Sequence, residues 1–144
     1  MPWTVLLGYL AVFMLLDWAS YIRPFQGLNI TPWNPQPALA IALLLASSQL
    51  WWIVWIGLVA AEIVVRGWPD DLLVAAAALA VLTLCFLAIA RALRERLREG
   101  PLLATVRDVR AFIAIMLLGS LASGVLYIGT LALGGQGLVA PLLA

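Results

Sequence analysis

ALAIALLLASSQLWWIVWIGLVAAEIVV, Ala38 to Val65, runs for 28 residues with one ionisable group, Glu62. As a single helix it would be about 42 Å long at 1.5 Å per residue. That overshoots the roughly 30 Å hydrocarbon core of a bilayer, yet falls short of two spans of about 20 residues each. Ser47, Ser48 and Gln49 interrupt the apolar run near its middle, where a tight turn fits. On that reading Gln49–Val65 is one span and Ala38–Ala46 only half of another, the missing half coming from Ile30–Pro37. A single long span is the competing reading, and it reverses the orientation of everything before it.

The residues leading into this stretch, TPWNPQP, carry Pro32, Pro35 and Pro37. They cannot continue a helix from upstream, but Pro35 or Pro37 can pre-set φ in the first turn of a new one. The segment is therefore expected to dip into the membrane as non-helical backbone and hand over to a short helix. Irregular backbone survives at that depth only when sheltered by protein or lining a wet cavity, because lipid offers no hydrogen bonds. The alternative is an interfacial loop in water with Trp33 as a headgroup anchor.

Outward from this point the chain is apolar throughout. Of 144 residues 65% are hydrophobic and 10% charged, with a mean hydropathy of +1.09. Soluble domains are roughly a quarter charged, and eight arginines with seven acids cannot clothe a soluble core of this size. Leu72–Ala90 gives 19 uncharged residues and Ala111–Gly134 gives 24, while Pro2–Ile22 is interrupted only by Asp17. The composition and spacing predict an all-α fold, a polytopic transmembrane bundle of about five spans with a Pro-rich broken or re-entrant segment before the second. The spans are expected near 2–22, 35–48, 50–66, 71–92 and 109–134, in one integral membrane domain with no output domain. The first apolar run lacks a basic n-region and reads as a retained span. The last residues, GGQGLVAPLLA, look like the start of another apolar element, so the chain reads as cut short.

Lysine and histidine are absent. This excludes a Walker-type phosphate loop, a Schiff-base lysine, imidazole ligation of zinc or haem, and histidine-based triads. The single Cys85 lies in an apolar stretch and reads as a small packing residue. No enzymatic activity, cofactor, metal or nucleic-acid partner is expected; the lipid bilayer is the expected surrounding. Six of the eight arginines lie in RALRERLREGPLLATVRDVR, Arg91–Arg110, which three acids leave at +3. The positive-inside rule makes this segment cytoplasmic, and counting back through two passes in 38–65 puts the N-terminus inside as well. Arg91 to Glu99 is expected to extend the fourth helix beyond the membrane, with Gly100-Pro101 ending it and Thr105 with Asp108 starting the next. The segment reads as a solvated hairpin rather than a lipid-headgroup or partner site.

Ionisable groups inside spans are costly and need a reason. Asp17 and Glu62, and likewise Arg23 and Arg66, fall at one outer level in the two-pass reading. Glu62 and Arg66 are spaced to pair along one helix; Asp17 must find partners elsewhere, among Arg66, Arg23 and the amides of Asn29 and Asn34. Two readings follow. In one, Asp17, Asn34, Glu62 and Arg66, with Trp18 and Trp33, line an outward-facing ligand or proton-sensing site; in the other they form an interhelical clasp. In the fifth span Gly119 with Ser123, and Ser120 with Gly124, are small residues four apart that allow close helix approach. Packing inside the bundle is expected there ahead of homodimerisation.

At Asp17-Trp18-Ala19-Ser20-Tyr21, and above all at Ile30-Thr31-Pro32-Trp33-Asn34-Pro35 running into the Ala/Leu stretch, the chain resembles the type one membrane-associated sensor domain, MASE. AAEIVVRGWP, Ala60–Pro69, is similar to that family's glutamate-bearing helix end and outer turn. The resemblance covers roughly the first 70 residues. It implies a bacterial inner-membrane sensory module of about eight helices, attached to a cytoplasmic histidine kinase, diguanylate cyclase or phosphodiesterase. This chain departs from it in holding about five spans and no output domain, as a fragment, a truncated frame or a subunit serving a separate kinase or cyclase would. The candidate signal-sensing residues are Asp17, Trp18, Arg23, Thr31, Trp33, Asn34, Glu62 and Arg66. A transport or channel component is the main alternative, and a non-functional fragment a third reading.

Overall fold

A computed structural model describes residues 3–20, 34–69, 71–96 and 105–134. Five α-helices account for most of them: α1 Trp3–Ser20, α2 Gln36–Ala46, α3 Trp51–Ala61, α4 Leu72–Arg96 and α5 Val106–Leu133. No strand occurs among the described residues. With its flanking turns, α3 becomes a continuous helical segment, Ser48–Arg66, and this segment, α1, α4 and α5 are each long and apolar enough to cross a membrane. At 11 residues α2 is only about 17 Å long, half the thickness of a bilayer core. The chain is an all-helical, multi-pass membrane protein.

The break in the 38–65 run falls where the polar residues predict it. Ser47 leaves the helix in an extended conformation, φ −154° and ψ 111°, and Ser48–Leu50 makes one turn of 3-10 helix before α3 begins. At its other end α2 starts beside two prolines: Pro35 is the N-cap, and Pro37 lies in the first turn, where its missing N–H costs no intrahelical bond. The Asn34 side chain accepts a hydrogen bond from the Gln36 backbone N–H at 3.3 Å, covering one of the free donors of that turn.

The two ends of the 36–66 segment return to the same level. Gln36 in the first turn of α2 and Arg66 at the end of the helical segment both reach Asp17 near the end of α1. The opposite end of the hairpin, at Leu44, Leu45 and Ser48, meets Arg94 near the end of α4. Residues 36–66 therefore form a helical hairpin with both ends at the Asp17 level and its turn at the Arg94 level, the arrangement the two-pass reading expects. The fourth and fifth helices run antiparallel, since Gly119 lies against Ile89 and Gly134 against Val74.

Side chains of the first four helices build the core. Phe13, Leu44, Val54, Leu93 and Thr83 are fully buried, with Ala40, Ile41, Ile53, Phe86, Leu87 and Ala90 around them. Gly57 lets α1 come close to α3, its Cα facing Leu10 and Phe13 at distances a Cβ would fill with van der Waals contact. The Trp55 indole donates to the Ala76 carbonyl at 3.4 Å, tying α3 to α4. Hydroxyls within the spans turn back onto their own helix: Thr83 donates to Leu79 O and Ser123 to Gly119 O, which removes the cost of a free donor away from water.

The fifth helix is different. It leans on α4, contributes Phe112, Ile115 and Met116 to the edge of the core, and buries only Ser123. Leu117, Leu118, Leu121 and Val125 are exposed, as lipid-facing side chains of a membrane helix are. Its small residues divide by face. Gly119 and Ser123 pack inward as expected, but Ser120 and Gly124 line an open apolar depression with Leu121, Val125, Ile128 and Gly129. The expectation that both pairs pack within the bundle is thus corrected for Ser120 and Gly124. A helix turns about 100° per residue, so one step from Gly119 carries Ser120 off the contact face.

Among the termini expected from sequence, the Thr105 and Asp108 start is present as a reciprocal capping box. The Gly100-Pro101 stop lies outside the described residues, as do Asn29 and the Thr31-Pro32-Trp33 part of the TPWNPQP entry.

Candidate functional site

Asp17 is 5% exposed, on the face of α1 that also buries Leu6, Tyr9, Phe13 and Ser20. A carboxylate in such surroundings requires donors, and two helical elements supply them, α2 and the turn that follows α3. Gln36 Nε2 donates to Asp17 Oδ1. Arg66 approaches with both amino groups, Nη2 to Oδ1 at 3.2 Å and Nη1 to Oδ2 at 3.3 Å, the forked geometry a guanidinium offers a carboxylate. Nη1 is shared with Glu62 Oε2, also at 3.3 Å and one turn earlier in the chain. Arg66 thus stands between a buried carboxylate and a partly exposed one.

The backbone carrying Arg66 is unusual. Glu62–Arg66 forms a π-helical turn, and Gly67 follows with φ +93° and ψ −179°. Wide turns of this kind re-aim side chains and recur at functional sites. That combination of φ and ψ is essentially reserved for glycine, so Gly67 allows the sharp exit towards α4.

The amide of Gln36 is only half used. Its Nε2 is bound to Asp17, while Oε1 is buried with no hydrogen-bond partner among the described residues; the buried Tyr9 hydroxyl is in the same position.

Of the residues singled out in the sequence, Asp17, Glu62 and Arg66 are brought together. Asn34 is exposed and caps α2 instead of meeting Asp17. Trp18 is 72% exposed and points away from the cluster, a correction to its expected place in the lining. One residue beyond Asp17 lies on a different face of the helix, and an exposed tryptophan near a span end suits the membrane interface. Arg23, Thr31 and Trp33 lie outside the described residues. Among the described residues no cluster of three or more histidine, cysteine or acidic side chains could hold a metal ion.

Two contributors were missed. Gln36 supplies the amide that was sought from asparagine; its signal was an amide side chain placed between two prolines at the start of an apolar helix. Arg94 belongs to the arginine-rich segment read as solvated, yet it turns inward. Its Nη2 donates to the carbonyls of Leu44 at 2.7 Å and Leu45 at 2.8 Å, and Nη1 to Ser48 Oγ at 3.4 Å. The last carbonyls of α2 have no intrahelical partners, and a cation at a helix C-terminus also meets the negative end of its dipole. Arg94 is therefore the C-terminal cap of the half-length helix, supplied from another helix.

No protein-family model, curated protein or solved structure matches the chain.

Proposed function

We propose that this chain is a membrane-embedded sensory module. A signal acts on the Asp17–Gln36–Glu62–Arg66 cluster, shifts the packing of the α2–α3 hairpin, and regulates a cytoplasmic histidine kinase or cyclic-di-GMP enzyme, fused or separate. The proposed location is the bacterial inner membrane, with the N-terminus and the Arg94 end in the cytoplasm, as the arginine excess in residues 91–110 supports. The MASE-like residues around Asp17 and before α2 support the same assignment.

One observation carries this reading: the buried Asp17 is paired to an arginine that a second carboxylate also holds. Placing each such charge in a span costs about 2.5–3.5 kcal/mol on insertion scales, and apolar side chains of the same volume would join the helices at least as firmly. Sharing provides a second arrangement, in which Arg66 keeps Glu62 and releases Asp17. A stimulus that interacts differently with the two arrangements shifts their populations.

The test is Asp17→Asn in the full chain joined to a kinase or cyclase reporter. Output should change several-fold while membrane insertion stays normal; unchanged output with normal insertion would sink the proposal. The half-length α2 also favours a transport reading, because broken helices build substrate sites in transporters. Solute flux through proteoliposomes holding this chain alone would decide for that alternative.

A further inference from the structure

The α2–α3 hairpin is fastened to the rest of the bundle by polar bonds at both of its ends. At one end Gln36 and Arg66 hold Asp17 of α1; at the other, Leu44, Leu45 and Ser48 are held by Arg94 of α4. Between them α2 is a short rod of 11 residues, about 17 Å long. Its sides are apolar: Ala40, Ile41, Leu43 and Leu44 lie in the same core as Phe86, Leu87, Ala90 and Leu93 of α4. Apolar contacts of this kind are not directional, so the polar fastenings at its two ends fix where the rod sits along its axis.

We propose that α2 is a strut through which the Asp17 cluster sets the position of the cytoplasmic end of α4, with Arg94 as the coupling residue. Weakening the hold of Asp17 on Arg66 and Gln36, as loss of its charge does, moves the hairpin; because Arg94 grips two consecutive carbonyls and the turn hydroxyl, the end of α4 moves with it. The end bound by Arg94 is well satisfied, whereas the Asp17 end leaves Gln36 Oε1 without a partner among the described residues. This use of the strut rests on the sensory reading above, while the mechanical coupling can be measured without any stimulus or output domain.

The experiment uses the full chain with Cys85→Ser in lipid nanodiscs, with spin labels at Thr4→Cys near the start of α1 and Glu95→Cys on α4, both exposed positions. The dipolar interaction between the labels reports where the end of α4 lies relative to α1. Asp17→Asn should shift the population of label separations by about fivefold or more when Arg94 is present, the lower bound of ordinary coupling between sites. In Arg94→Met, adding Asp17→Asn should leave the separations where they are, because the strut no longer grips α4. Arg94→Lys keeps the charge but can engage only one carbonyl at a time, so it should transmit a reduced shift and serves if Arg94→Met does not fold. The proposal is overturned if Asp17→Asn leaves the separations untouched, or shifts them equally with and without Arg94. Coupling without a reporter response to Asp17→Asn would refute the sensory reading and leave the strut standing; a reporter response without coupling would do the reverse.

Discussion

Substituting Asp17 alone and together with Gln36 tests whether the cluster is energetically what its geometry says. Asp17→Leu removes three accepted hydrogen bonds. The two from Arg66 are worth little here: the guanidinium side chain is 29% exposed and keeps Glu62, so their loss is comparable to that of a surface pair, about 0–1 kcal/mol. The Gln36 bond is different, because Gln36 is 4% exposed and its Nε2 is bonded to Asp17. Stranding that donor beside an already unpaired Oε1 costs about 1–3 kcal/mol. Asp17→Leu should therefore lose about 3 kcal/mol in total, and Asp17→Asn, which keeps an acceptor for Gln36, about 1 kcal/mol. Adding Gln36→Leu to Asp17→Leu removes both stranded atoms and fills the space with apolar volume. The double variant should recover to within about 1 kcal/mol of the wild type, since replacing both members of a buried polar pair is often neutral. Reversible unfolding in bicelles by sodium dodecyl sulfate titration, followed by tryptophan fluorescence, measures all four proteins. If the double variant is less stable than Asp17→Leu alone, the account of the buried amide is wrong.

A Cβ added at Gly119 would lie 2.5 Å from Ile89 Cγ1 and 2.7 Å from Cδ1, whereas one at Gly124 meets nothing within 4 Å. In the same titration Gly119→Ala should lose about 1–3 kcal/mol through overpacking, and Gly124→Ala should stay within about 0.5 kcal/mol; the opposite order would mean that the other face of α5 lies against α4. Single cysteines in a Cys85→Ser background address the topology: Gln49 and Glu95 should react with an impermeant maleimide from the cytoplasmic side and Trp68 from the opposite side. Labelling of Gln49 and Trp68 from one side would rule out the hairpin crossing.

Much of the fold was legible because two kinds of signal agree within the chain. The length of each apolar run gives the spans, and the Ser47-Ser48-Gln49 interruption gives the turn, which the structure forms at Ser47–Leu50. The Glu62–Arg66 pair could be read from local spacing alone, and Asp17–Arg66 from the absence of any partner for Asp17 within its own helix. What escaped depends on direction. Gln36 and Asn34 are both amides close to one turn, and only the backbone at the start of α2 decides which one faces α1. Trp18 was lost to the same cause, one residue's rotation. Arg94 was within reach: it lies four residues after Ala90 and seven after Leu87, both buried, so the inward stripe of α4 continues through it. Charge alone had suggested water.

The half-length of α2 has a consequence for how the protein is made. A helix of 11 residues beginning between two prolines is too short to partition into lipid as a complete span, and its Gln36 finds Asp17 only after α1 is in place. Arg66 leaves the ribosome 30 residues after Gln36, a delay of roughly 2–6 seconds at ordinary rates of synthesis. On length alone, α2 and α3 should therefore enter the bilayer together rather than one after the other.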